Sequence, residues 1–398
     1  MKKVYLDYAA TTPVHKKVKK AMEPYFSDNF ANPATLHQFG QDAKIGLDKA
    51  RKRVANFIGA KSKEVIFTSG GSESDNLALK GVFFKLTQNK DFTPHIITSA
   101  IEHSAIINTC NFLKKRGAKV SYIKPDKNGL INPDDIKKEI NKNTTIVSIM
   151  HANNEVGTIE PIKEIGKIIA NVKKNRQVNN NDTPIYFHTD AVQTLGHIPI
   201  NIDDLGVDML TLSAHKLYGP KGVGALFVRE GVELEPLIHA GEQERERRGS
   251  THNTPGIIGL AKAIDIADSE MKEEKERLIN LRNYFLQEIK NSIKRVQLNG
   301  HPNKRLPNNL NVTIKGVEGE ALLMSLDEAG IAVSTGSACS STRLIPSHVL
   351  MAMGMSHLRA HSSIRFSMGK YTKKKDIDYV VKQLKPIVKR LREISPLK

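Results

Sequence analysis

At 398 residues the chain is long for one core, which predicts two domains, and its 39% hydrophobic and 26% charged content is that of a soluble globular protein. The formal charge of +18 comes from lysines scattered through stretches such as "HKKVKK", "LKKRG" and "TKKKD" rather than from one basic face. Direct, stable nucleic-acid binding is therefore not expected, although a basic surface favours acidic protein partners or RNA at long range. The N-terminus "MKKVYLDYAATTPVHKKVKK" has no signal-peptide core, and no apolar run approaches the ~18–20 residues that span a bilayer. Two distant cysteines, Cys110 and Cys339, argue against a disulfide framework or a cysteine-rich zinc site and suit a reducing cytoplasm.

From about residue 63 to 228, short apolar runs alternate with helical patterns. The runs predict strands at 64–69, 95–100, 119–123, 144–150, 184–190, 207–213 and 224–228, with helices at 72–86, 104–116 and 161–174 between some of them. This alternation predicts an α/β fold with a mostly parallel seven-stranded sheet flanked by helices. The asparagine-rich insert "KKNRQVNNNDT" (173–183) reads as a surface loop. Beyond about Pro255 the pattern changes to a long amphipathic helix over 257–290, a strand at 309–314, a helix at 319–329 and a terminal helix within 375–392. The expected division is a large domain of residues 13–256 and a smaller α+β domain of residues 1–12 and 257–398.

Active sites in open α/β sheets gather at the carboxyl ends of strands, and three predicted strands end in reactive residues. "TSGGSESDN" (68–76) runs through Gly70, Gly71 and Ser72 into a helix with Glu73 and Asp75 in its first turn; this is a capped strand-to-helix turn or a phosphate cradle. "FHTDAVQ" (187–193) carries Asp190 at a strand tip, either as a helix cap or as the partner of a protonated ring nitrogen. "LSAHK" (212–216) ends in Lys216, flanked by Ser213 and His215; a partly desolvated lysine there has a lowered pKa and can act as a Schiff-base amine. Each stretch alone has an ordinary structural reading. Together they point to a cofactor with a phosphate, an aromatic ring nitrogen and an aldehyde, and pyridoxal 5'-phosphate has all three.

The residues go further. The stretches "VYLDYAATTPV" (4–14), "NPATLHQFG" (32–40), "TSGGSESDNLAL" (68–79), "EHSA" (102–105), "HANNEVGTI" (151–159), "FHTDAVQTLGHIPI" (187–200), "SAHKLYGPKGVGALFV" (213–228), "STGSACSS" (334–341) and "HSSIRFSMG" (361–369) occur in one ordered series. In them the chain resembles the cysteine desulfurases, a branch of the class V aminotransferase-like, fold-type I pyridoxal-phosphate enzymes. The resemblance implies that Lys216 bonds the cofactor aldehyde and Asp190 pairs with the pyridine nitrogen. His103 would stack on the ring and assist proton transfer. Gln193 and Asn154 would bond the phenolic oxygen, with Asn154 also near substrate. Gly71, Ser72, Ser213 and His215 would hold the phosphate, with Thr251 joining from a second subunit of a homodimer. Arg365 would clamp the carboxylate of L-cysteine.

By the same resemblance, Cys339 would take the sulfur as a persulfide, leaving L-alanine, and pass it to an iron–sulfur scaffold protein or another acceptor for cluster assembly or tRNA thiolation. Cys339 is also a candidate transient iron–sulfur ligand. Its small, polar surroundings "STGSACSSTR" predict an accessible, mobile segment, whereas Cys110 in "IINTCNFL" reads as a buried hydrophobe. The long segment between Cys339 and Arg365 resembles the housekeeping and nitrogen-fixation branch. Two departures stand out: Ser72 replaces a usual threonine, and "AGEQERERRGSTHN" (240–253) replaces a glycine-rich pattern, adding Glu242 with Arg245, Arg247 and Arg248 as offsetting charges. A selenocysteine lyase or another class V pyridoxal-phosphate enzyme acting on a different amino acid is the enzymatic alternative, and a basic non-catalytic scaffold or RNA-associated paralogue is the alternative of another class.

Overall fold

The computed structural model describes residues 2–88, 92–335 and 346–395. Short runs rich in β-branched and aromatic residues form all seven expected strands, Val65–Thr68, His95–Ser99, Lys119–Ile123, Thr144–Ser148, Tyr186–Asp190, Met209–Ser213 and Gly224–Val228. They make one sheet in the spatial order 65–68, 224–228, 209–213, 186–190, 144–148, 95–99, 119–123. Only Gly224–Val228 runs antiparallel to its neighbours, so the carboxyl ends of the strands that approach the site share one edge.

Successive residues of a strand point to opposite faces, and here both faces are apolar. Phe67, Ile97 and Phe227 pack on one side, while Ile66, Ile96 and Leu226 pack on the other. The first face is covered by helices Gln38–Ile58, Ile162–Val178 and the start of Thr254–Ser292, and the second by Gly71–Leu86 and Ser104–Lys115. Cys110 belongs to the second core; burial pushes its thiol up to about 12, which makes it a packing residue.

A third core forms around the antiparallel strands Val296–Asn299, Asn309–Ile314 and Ser363–Ser367, with Phe285 and Phe366 edge to face at 4.9 Å. Helix Thr254–Ser292 reaches both regions, burying Ile257, Leu260 and Ile264 in the first core and Leu278, Phe285 and Ile289 in the third. Strand Val4–Tyr5 pairs in parallel with Ile331–Ala332, which brings the chain's first residues beside the third core. Among the described residues, no helix is long and apolar enough to cross a membrane.

Some local expectations need correction. The insert 173–183 is not all loop, because helix Ile162–Val178 continues into it. Arg176 explains the extension: its buried guanidinium donates to the carbonyls of Thr183 at 2.9 Å and Asn141 at 2.8 Å, fastening the last turn to the sheet edge. Strand Ser363–Ser367 was not anticipated, since Arg365 interrupts its apolar run, yet all five residues are buried. Helix Gln38–Ile58 was also missed, although Ala43, Leu47, Ala50, Val54 and Ile58 recur at helical spacing and are its buried face.

Candidate active site

The carboxyl edge of the sheet opens into a cleft of roughly 430 Å³. Apart from Thr251 and Cys339, every residue to which the resemblance gives a catalytic, cofactor-binding or substrate-binding role lines it. Thr251 is exposed on the loop 240–253, away from the lining, and Cys339 lies outside the described residues.

At one end, strand Val65–Thr68 turns through Ser69 and Gly70 into helix Gly71–Leu86, whose first-turn N–H groups have no partners within the helix. A side chain at Gly71 would put its Cβ 2.8 Å from Val192, so glycine leaves this wall open to a ligand. Ser213 Oγ is buried with no hydrogen-bond partner. Beside it, His215 Nδ1 lies 3.2 Å from Thr11 Oγ1. Burial, then the nearby Lys216 and Lys221 ammonium groups, push His215 down to about 4, so its ring is neutral at physiological pH.

In the middle, Asp190 ends strand Tyr186–Asp190, and its Oδ1 accepts from Val192 N at 2.8 Å. Burial raises its proton affinity, while His103 and Lys216 pull it back. Lys216 closes a single 3-10 turn after strand Met209–Ser213, and its Nζ donates to the carbonyls of Ala9 at 2.6 Å and Ala10 at 2.7 Å. Gln193 Nε2 donates to the same Ala9 carbonyl at 3.1 Å. His103 caps helix Ser104–Lys115, with Nδ1 accepting from Ala105 N at 3.2 Å. Burial lowers its pKa, so the neutral ring keeps its proton on Nε2.

At the far end, Arg365 is held inside strand Ser363–Ser367. Its Nη2 donates to Asp7 Oδ1 at 2.7 Å and its Nη1 to the Asn154 carbonyl at 3.0 Å, while Nε is buried without a partner. Such a guanidinium has donors left for an anionic ligand.

Several site residues escaped the sequence reading. Ala9 and Ala10 act through main-chain carbonyls, which leave no side-chain signature. Asp7 sits in the quoted "VYLDYAATTPV", but only tertiary structure shows it facing Arg365. Asp75 is not in the first turn of its helix, where Glu73 stands; it begins the second turn, buried and lining the cleft. The loop 240–253 also differs from expectation. Glu242 is exposed, and the inward carboxylate is Glu244, which pairs with both terminal nitrogens of Arg51 at 2.6 Å. Burial favours the neutral acid of Glu244, but the Arg51 and His252 contacts outweigh it and hold the group at about 2.

A lysine, a carboxylate and an open helix N-terminus beside an unpartnered hydroxyl, converging at strand ends, define a pyridoxal-phosphate type of site. The chain belongs to the aminotransferase class-V family, which it matches over residues 4–380. It is 52% identical over 398 residues to the cysteine desulfurase IscS of Dictyoglomus turgidum, covering 100% of this chain and 97% of that relative. With the cysteine desulfurase IscS of Methanosarcina thermophila the identity is 48%, covering 100% of this chain and 94% of the relative. Among solved structures, a NifS-like protein superposes with a TM-score of 0.89 at 36% identity, covering 98% of this chain and all of that one. A structure described as SspA in complex with cysteine gives a TM-score of 0.79 at 38% identity over 93% of this chain and all of its own.

Proposed function

We propose that the protein is a pyridoxal-phosphate-dependent cysteine desulfurase that converts L-cysteine to L-alanine and places the sulfur on Cys339 as a persulfide. The observation that carries the reading is the cleft itself, which gathers Lys216, Asp190, His103 and Arg365 within one strand-end site. The residues present fit the cofactor. The unpartnered Ser213 hydroxyl and the open wall at Gly71 suit its phosphate, and the unpartnered Arg365 Nε suits a substrate carboxylate.

In this reading Gly71, Ser72, Ser213 and His215 hold the phosphate, and Asp190 faces the ring nitrogen. Gln193 and Asn154 border the phenolic oxygen. When bound, pyridoxal phosphate supplies an electron sink next to the substrate's Cα. Lys216 provides the amine that bonds the aldehyde, and the neutral His103 moves protons through Nε2. Arg365 binds the substrate carboxylate through its remaining donors and fixes the orientation of the side-chain sulfur. The Cys339 thiolate then attacks that sulfur. A new S–S bond forms, the Cβ–S bond breaks with its electron pair left on carbon, and protonation there gives alanine.

The large part is assigned to residues 13–256 and the small part to residues 1–12 and 257–398. The working form is a homodimer in which Thr251 reaches the partner's phosphate site. Support comes from Phe26, Phe30 and Phe39, at 66–68% exposure, and from Leu36 at 93%, an apolar density that a solvated monomer seldom leaves bare. The persulfide goes to an iron–sulfur scaffold protein or another acceptor in the cytoplasm.

Incubation with L-cysteine and a reductant is expected to release alanine and sulfide in equal amounts, measured by amino-acid analysis and a sulfide assay. Turnover of selenocysteine with none of cysteine would instead favour a selenocysteine lyase, and a colourless protein without cofactor absorbance would favour a scaffold.

A further inference from the structure

The loop 240–253 grips the phosphate-binding turn from both sides. On the strand side, Glu244 Oε2 accepts from Phe67 N at 3.0 Å, one residue before the strand ends, and Oε1 lies 2.8 Å from His252 Nε2. On the helix side, Arg248 Nε donates to Glu73 Oε1 at 2.8 Å and Nη2 to Oε2 at 3.3 Å. Glu73 Oε2 also accepts from Ser69 N at 2.8 Å, within the turn itself. The loop pays for this grip in backbone strain, with Glu244, Arg245 and Glu246 at φ 48°, 57° and 62° and Ser250 at φ 112°. Non-glycine residues in the left-handed region persist where surrounding contacts over-determine them, and such strain collects at functional sites.

The charges give the grip a purpose. Glu73 stands in the first turn of helix Gly71–Leu86, whose N–H groups would face a dianionic phosphate. Burial opposes its ionisation, but the hydrogen bonds from Arg248 and Ser69 hold it below the usual carboxylate range, so it stays charged. A carboxylate there would repel the phosphate unless a cation accompanied it. His215 and Lys221, the other titratable groups at this mouth, lie on a different segment, where His215 faces Thr11.

We propose that Arg248 is a positioning residue for the cofactor phosphate: it neutralises Glu73 at the helix N-terminus and ties the strained loop to the phosphate-binding turn. The proposal rests on the pyridoxal-phosphate reading of the cleft. Its test is absorbance titration of the full-length apoprotein with pyridoxal phosphate and, separately, with pyridoxal, which lacks the phosphate.

Arg248→Met is expected to raise the Kd for pyridoxal phosphate roughly tenfold and that for pyridoxal less than about twofold. Adding Glu73→Gln to that variant is expected to restore most of the phosphate-dependent affinity. An unchanged Kd for pyridoxal phosphate, an equal loss for both ligands, or no recovery in the double variant overturns the role of Arg248. Failure of the wild-type protein to take up pyridoxal phosphate overturns the cofactor reading itself, and this proposal with it.

Discussion

Lys216→Ala is expected to lower alanine formation from L-cysteine by on the order of 10³-fold or more, because removing a covalent participant is not compensated by binding elsewhere in a site. The backbone makes the lysine hard to replace. It sits in a single 3-10 turn at the end of a buried strand, and its Nζ is aimed by the carbonyls of Ala9 and Ala10 at 2.6 and 2.7 Å. Lys216→Arg keeps the charge but offers a guanidinium in place of a nucleophilic amine, and the same loss is expected. Borohydride reduction and peptide mapping provide the check: the wild-type peptide containing Lys216 gains the cofactor's mass, and neither variant's does. Unaltered turnover in Lys216→Ala would remove the covalent role.

The second large effect is at Asp190. Asp190→Asn preserves volume and an acceptor for the Val192 N–H, now met at 2.8 Å, but removes the charge that would pair with a protonated ring nitrogen. Electrostatic groups placed where charge develops are worth on the order of 10²- to 10³-fold in kcat, and a loss of that size is expected here. The phosphate contacts lie on other segments, so cofactor binding should weaken far less than kcat. Steady-state kinetics beside a cofactor titration separates the two; a loss confined to cofactor affinity would mean that Asp190 holds the ring without acting on it.

How far the sequence reveals this site depends on what each residue contributes. The sheet was legible because most of its strands are buried on both faces and so read as largely apolar runs, as in Val65–Thr68 and Gly224–Val228. Lys216, Asp190 and the Gly71–Ser72 turn were legible because strand ends in such sheets are where ligands bind. Residues acting through the main chain or across long separations were not. The Arg365–Asp7 pair joins positions far apart in sequence, and no local pattern marks its second member. Glu244 was not singled out, because a run of left-handed residues has no periodicity from which to tell the inward carboxylate. The spacing of Arg248 and Glu73 is silent for the same reason: the loop's strain and its two anchors exist only in the folded chain.

In the proposed reaction the sulfur of cysteine passes to Cys339. Mixing the cofactor-loaded enzyme with L-cysteine in the absence of reductant, followed by mass spectrometry of its peptides, tests this most directly. One additional sulfur is expected on the Cys339 peptide for each alanine formed, and none on the Cys110 peptide, whose thiol is buried and pushed up to about 12. Cys339→Ala should retain cofactor absorbance and carry no persulfide. Sulfur mapped to Cys110, or wild-type sulfur release by Cys339→Ala, would contradict it.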